Sequence, residues 1–166
     1  HRRVAVLDGG LAAWQAAAQP VVADPPQVQA LPPYPGRFDL AQVADADEIA
    51  ARLGQAPGWL IDARAGERYR GDVEPLDPRA GHIPGARSFP LGGNLGTDGR
   101  FLSPDELRDR FAEIDADTDV ISYCGSGVTA CHNLIAMEYA GLGAKRLFPG
   151  SWSQYAATDR PAATGD

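Results

Sequence analysis

Short apolar runs and helix-spaced apolar positions take turns along this chain. Trp59-Leu60-Ile61 is a compact run closing on Asp62, as in a buried strand whose carboxyl end opens onto polar residues. Val120-Ile121-Ser122-Tyr123 forms a second such run, followed by a Gly-containing loop and a helix predicted over 129–140 that Gly141 terminates. Between the two runs, Ser103-Pro104-Asp105-Glu106 combines an N-cap, a proline at the first helical position and a capping-box glutamate. Leu107, Phe111 and Ile114 then recur at i, i+4 and i+7. Asp45-Ala46-Asp47-Glu48 repeats the N-cap-and-glutamate pattern, and with Gly54 as its stop it predicts a helix over 46–53. Strands alternating with helices predict an α/β fold with a mainly parallel central sheet and helices on both faces. Ligands of such sheets bind beyond the carboxyl ends of the strands, so chemistry is expected immediately after Tyr123.

The first 36 residues break this rhythm. Pro20, Pro25, Pro26, Pro32, Pro33 and Pro35 crowd one stretch, where missing N–H donors and fixed φ exclude a helix or a central strand, and residues 23–36 read as a Pro-rich linker. Before it, Val4-Ala5-Val6-Leu7 reads as a short strand, and Asp8-Gly9-Gly10 as a turn into a helical stretch through Trp14 to Ala18. The same order returns near the other end, where Lys145-Arg146-Leu147-Phe148 leads through Pro149-Gly150-Ser151-Trp152 into a short helical stretch reaching Pro161. Shifted by 141 positions, Gly9 falls on Gly150, Trp14 on Tyr155, Ala16 on Ala157 and Pro20 on Pro161. This repeat reads residues 1–22 as the closing strand and helix of an upstream copy of the domain that residues 37–166 form. Lacking an initiator Met, the sequence is expected to be part of a longer tandem protein.

Composition narrows the function. Hydrophobic residues are 44% and charged residues 22%, ordinary globular usage. No uncharged apolar run approaches the ~18 residues of a membrane helix, and His1-Arg2-Arg3 leads into no signal-like segment, so neither a membrane nor an export route is expected and the cytoplasm is the expected compartment. A net charge of −7 argues against a nucleic-acid partner, whose binding draws on neutralised phosphates. Two cysteines, Cys124 and Cys131, are too few for a disulfide framework and fit a reducing environment.

Cys124 stands where the fold expects chemistry. In Cys124-Gly125-Ser126-Gly127-Val128-Thr129 it follows a strand and precedes a helix, with two glycines and two hydroxyls between. Glycines let the backbone turn tightly enough for successive N–H groups to point inward, and the helix N-terminus adds partial positive charge. Both stabilise an anion at the sulfur and lower the thiol pKa, which matters because the thiolate is the nucleophile. A lone cysteine is more often a small buried apolar residue, but the strand–Cys–Gly-loop–helix setting favours the nucleophile.

The loop, read as CGSGVTA from Cys124 to Ala130, resembles the active-site loop of the mercaptopyruvate sulfurtransferase branch of the rhodanese family. Ile61-Asp62-Ala63-Arg64 with Arg68-Tyr69-Arg70-Gly71, then Gly81-His82-Ile83-Pro84-Gly85-Ala86, and Phe148-Pro149-Gly150-Ser151-Trp152 resemble further hallmarks of that family, in the same order. The resemblance implies a rhodanese-like fold, commonly paired with an inactive N-terminal domain. It implies Cys124 as sulfur carrier, Ser126 and Thr129 as hydroxyl donors to the sulfur or the developing anion, and the backbone of Gly125, Gly127 and Val128 as further donors. Arg68, preceded by Glu67 where the family has Gly, would bind the donor's carboxylate or sulfonate, a task suited to a planar guanidinium, with Arg79 assisting. Gln154 stands where the family's terminal signature commonly has Glu. The implied substrates are a small anionic donor, 3-mercaptopyruvate or thiosulfate, and cyanide or a thiol, thioredoxin among them, as acceptor; no cofactor or metal is implied. Gly125-Ser126-Gly127 carries no basic side chain and so favours the carboxylate donor.

Weaker candidates fit structural roles. Asp62 and Arg64 read as an ion pair beneath the loop, His82 as a hydrogen-bonded loop residue, and Cys131 and His132 as packing positions. Cys124, Cys131, His132 and His82 do not have the spacing of a metal site. A cysteine phosphatase on the same fold needs arginine at position 130, which is Ala130, and a catalytically silent binding module would lack the cysteine.

Overall fold

The computed structural model describes residues 4–166 apart from 26, 28, 31, 34, 38 and 116. Among the described residues, four strands, β1 (Leu60–Asp62), β2 (Arg87–Ser88), β3 (Ile121–Tyr123) and β4 (Arg146–Leu147), pair in the order β2-β1-β3-β4. Every pairing is parallel, with Leu60 beside Ile121 and Ile121 beside Arg146. The helices are α1 (Gly10–Ala16), α2 (Ala46–Ala51), α3 (Gly66–Arg70), α4 (Pro104–Arg110), α5 (Ala130–Tyr139) and α6 (Ser151–Ala156).

Alternation within the strands sorts the core into two layers. Leu60, Ile121 and Tyr123 point to the face covered by Ile49 of α2, Tyr69 of α3 and Trp152 and Tyr155 of α6. Ile61 and Val120 point to the other, against Leu107 of α4, Phe111, and Ala136 and Met137 of α5. Each fully buried side chain of this size contributes about 1.5–3 kcal/mol, so strands of two or three residues hold because both faces are covered.

The caps are where the sequence places them. The Asp45 carboxylate accepts from the Asp47 and Glu48 amides, and Ser103 and Glu106 form a reciprocal capping box. Gly141 closes α5 at φ 79°. No helix among the described residues is long and apolar enough to cross a membrane.

At the N-terminus the expected strand is absent. Val4 to Leu7 runs without strand pairing, and Val4, Val6 and Leu7 are exposed. The helix after them does form, and the internal repeat reappears in its geometry. Gly10 and Ser151, 141 positions apart, open α1 and α6 in the left-handed region, at φ 57° and 51°. Trp14 Nε1 donates to the Pro20 carbonyl at 2.9 Å, and Tyr155 Oη to the Pro161 carbonyl at 2.8 Å, again the same shift. Of the Pro-rich stretch, Pro26 lies outside the described residues, as do His1 to Arg3; the described positions of 23–36 carry no helix or strand.

Candidate active site

β3 ends at Tyr123, and the chain turns at Cys124 into α5, at the carboxyl edge of the sheet. Two neighbours fix the turn. The Cys124 amide donates to Ser151 Oγ at 3.1 Å, and that hydroxyl donates to the Phe148 carbonyl at 2.9 Å. The free amides at the start of α6 donate in return: Trp152 N to the Cys124 carbonyl and Ser153 N to the Gly125 carbonyl, both 2.9 Å. These helix-terminal donors have no intrahelical partner, so the loop satisfies them. Gly127 passes so close to the same segment that a Cβ would stand 2.6 Å from the Pro149 carbonyl oxygen, and its φ is +82°. Only glycine fits both conditions.

Cys124 is 1% exposed. Burial pushes its thiol pKa up, but the Thr129 hydroxyl and the amides of Ala130, Ser126 and Gly127 outweigh that and hold it below its ordinary value. Thr129 is the N-cap of α5, yet its side chain caps no amide; its hydroxyl serves the sulfur instead. Cys131, the second residue of α5, contrasts: burial and the nearby Cys124 raise its pKa, and its thiol donates to the Gly127 carbonyl at 3.5 Å. Two thiols on one loop–helix unit are thus pushed in opposite directions.

A cavity of about 350 Å³ opens over the sulfur, lined by Cys124, Gly125, Ser126 and Thr129 on the loop side and Arg64, Arg68, Leu76 and Asp77 opposite. The structure therefore brings together Cys124, Gly125, Ser126, Thr129 and Arg68. The Arg68 guanidinium would stand 3.5 Å from a Cβ on Gly125. Gly127 contributes its amide from behind the sulfur, whereas the Val128 side chain is 73% exposed and lies outside the cavity lining.

Arg79 is a correction. Its guanidinium donates to the carbonyls of Ala156, Arg160 and Tyr155, and Trp152 Nε1 donates to its own carbonyl. The Tyr155 and Ala156 carbonyls lie at the C-terminal end of α6, where a cation is favoured, and the Arg160 carbonyl lies just beyond it, so Arg79 ties down the end of α6 and is not among the cavity residues.

The sequence reading missed two carboxylates. Glu74 Oε1 accepts from Arg68 at 2.6 Å and Oε2 from Arg64 at 3.3 Å, and Asp77 Oδ2 accepts from the same Arg68 nitrogen at 3.1 Å. Burial alone would raise the Glu74 pKa; hydrogen bonds from Arg68 and from the Leu76 and Asp77 amides lower it below its ordinary value. The signal available was three acids, Asp72, Glu74 and Asp77, directly after three arginines.

The supporting residues sit as expected. Asp62 holds Arg64 in a buried two-pronged pair at 2.7–3.1 Å, and Arg64 also donates to the Gly81 carbonyl at 2.6 Å and lies over the Trp152 ring. His82 stacks on Tyr69 with its Nδ1 2.8 Å from the Tyr69 carbonyl. His132 stacks on Phe101 and meets the Asn94 amide at 3.1 Å. Ala130 offers the sulfur an amide and no guanidinium.

A buried cysteine whose thiol is held below its ordinary pKa by a hydroxyl and loop amides, at the strand ends of a short parallel sheet, is placed to act as a nucleophile. The rhodanese-like domain family matches residues 45–158, and the chain belongs to that family. It is 48% identical over 98% of its length to the probable 3-mercaptopyruvate sulfurtransferase of Pseudomonas aeruginosa, covering 58% of that protein. It is 33% identical to human 3-mercaptopyruvate sulfurtransferase over 97% of this chain and 55% of the relative. The structure of 3-mercaptopyruvate sulfurtransferase from Leishmania major superposes with a TM-score of 0.71 at 34% identity, over 93% of this chain and 44% of that one. The chain thus spans little more than half the length of the curated relatives it matches.

Proposed function

We propose that this protein is a sulfurtransferase that carries sulfane sulfur on Cys124. The observation that carries the reading is a buried Cys124 at the floor of a cavity, ringed by the Thr129 hydroxyl and three loop amides that hold its thiol below its ordinary value. The thiolate attacks the outer sulfur of the donor and forms an S–S bond. With thiosulfate the donor's S–S bond breaks and sulfite leaves with the electron pair. With 3-mercaptopyruvate the C–S bond breaks, and the thiol hydrogen ends on carbon as pyruvate. In either case the product is an anionic Cys124 persulfide, and the donors that cradled the thiolate cradle its terminal sulfur. Cyanide or a thiolate then takes that sulfur and returns the Cys124 thiolate. Arg68 faces Cys124 across the cavity and binds the donor's anionic group, its planar fork matching a carboxylate or sulfonate. The absence of basic side chains at Gly125-Ser126-Gly127 and the name of the relative at 48% identity support 3-mercaptopyruvate as the preferred donor, with thiosulfate, named in other relatives, as the second.

Residues 1–22 are read as the closing element of an upstream domain of the same fold. The shared left-handed openings and the matching Trp14 and Tyr155 bonds support this, as does the exposed apolar surface of Val4, Val6, Leu7 and Leu11. The two free thiols support a reducing, cytoplasmic setting.

Brief donor treatment followed by mass spectrometry tests the chemistry. One added sulfur atom, removable by cyanide as thiocyanate, is expected in the native protein and in Cys131→Ser, and none in Cys124→Ser. Loading that persists in Cys124→Ser and vanishes in Cys131→Ser overturns the assignment.

A further inference from the structure

The polar wall opposite Cys124 is unevenly charged. Arg64 is matched by Asp62 in a buried two-pronged pair, and Arg68 is matched by Glu74 at 2.6 Å. Asp77 is then a third carboxylate beside two guanidinium groups, 7% exposed, with its Oδ2 3.1 Å from Arg68. Glu74 is structural: it bridges both arginines and accepts the Leu76 and Asp77 amides. The Asp77 carboxylate has no such web; among the described contacts it meets Arg68 alone, and it lines the cavity that holds Cys124.

We infer that Asp77 selects the donor by charge: it occupies Arg68 where the donor's anionic group must bind, and its carboxylate disfavours donors carrying two negative charges. The inference rests on the sulfurtransferase reading and deepens it. Thiosulfate is a dianion near neutral pH, whereas 3-mercaptopyruvate with its thiol protonated carries one charge. Each must approach a thiolate and displace Asp77 from Arg68, leaving that carboxylate beside it. Repulsion grows with donor charge, and a cavity only partly open to water screens it less than bulk solvent does. Asp77 thereby gives the site a reason to prefer the carboxylate donor that the uncharged loop alone does not supply.

The test compares kcat/KM for both donors in the native protein, Asp77→Asn, Asp77→Ser and Asp77→Glu, with thermal melting confirming that each folds. Removing the charge should raise the thiosulfate-to-mercaptopyruvate ratio about tenfold, the scale of one unit charge acting across a partly wet site. Asp77→Glu should keep the native ratio. A ratio that Asp77→Asn and Asp77→Ser leave unchanged, or an equal gain for both donors, overturns the inference. A second measurement separates it from the catalytic reading: protection of Cys124 from iodoacetamide by sulfate against acetate, which needs no turnover. If the native protein transfers sulfur from neither donor, the sulfurtransferase reading falls, and the protection ratio decides Asp77. Stronger protection by sulfate relative to acetate in Asp77→Asn supports charge selection, and an unchanged ratio refutes it.

Discussion

Thr129→Val removes one hydroxyl from the sulfur and leaves the side-chain volume nearly unchanged, so it isolates a single hydrogen bond. Of the groups that oppose burial at Cys124, the Thr129 hydroxyl acts most strongly. A hydrogen bond to a charged group is worth about 1.5–3 kcal/mol. Thr129 stands on the exposed rim of the cavity, where water screens the bond, so the lower end applies. About 1.4 kcal/mol corresponds to a rise of one unit in the Cys124 pKa. The assay is the rate of Cys124 alkylation by iodoacetamide across pH, read by mass spectrometry in Cys131→Ser to leave one thiol. The midpoint should move up by about one unit, and the plateau at high pH should rise roughly threefold, because a more basic thiolate is more nucleophilic. Thr129→Ser should keep the native midpoint. An unchanged midpoint in Thr129→Val would refute the claim that this hydroxyl acidifies the thiol.

Two further outcomes follow from the loop and the wall. Gly127→Ala places a Cβ 2.6 Å from the Pro149 carbonyl at a positive φ, and the left-handed conformation alone costs roughly 1–2 kcal/mol. Differential scanning calorimetry should show melting lower by roughly 5–10 °C once the clash is added, with slowed Cys124 alkylation; native melting would show that the loop has another way past Pro149. Glu74 is held below its ordinary carboxyl value of 4.5, so the unfolded chain takes up its proton first on acidification. Its contribution is complete above 4.5 and disappears as pH falls through the lower folded value; urea titrations should show Glu74→Gln less stable at neutral pH, with a shallower acid-side loss.

How much of this was legible depended on how local each signal was. Asp45, Ser103 and Glu106 announce their helices within four residues, and the structure uses each as expected. Cys124 was legible for the same reason, since strand, glycine loop and helix lie in one continuous segment. Arg79 was not: its partners are carbonyls 76 to 81 residues away, and nothing in its neighbourhood reveals them. Glu74 and Asp77 were hidden differently. They lie beyond α3 in a proline-flanked loop that the sequence reading passed over, and their side chains are nearly buried against Arg64 and Arg68. Val4 to Leu7 shows the converse, a strand-like pattern that stays unpaired because edge formation needs a neighbour.

Ser151 gives the molecule an order of events. Its hydroxyl holds the Cys124 amide, and the first amides of its helix hold the Cys124 and Gly125 carbonyls, so the nucleophile is fastened by residues that leave the ribosome 27 to 29 positions after it. Without those residues the loop has none of the hydrogen bonds that tie Cys124 and Gly125 to the start of α6. A thiolate is the form most open to oxidation. Because the clasp lies downstream, the geometry that lowers the Cys124 pKa depends on a segment of the chain made after the cysteine itself.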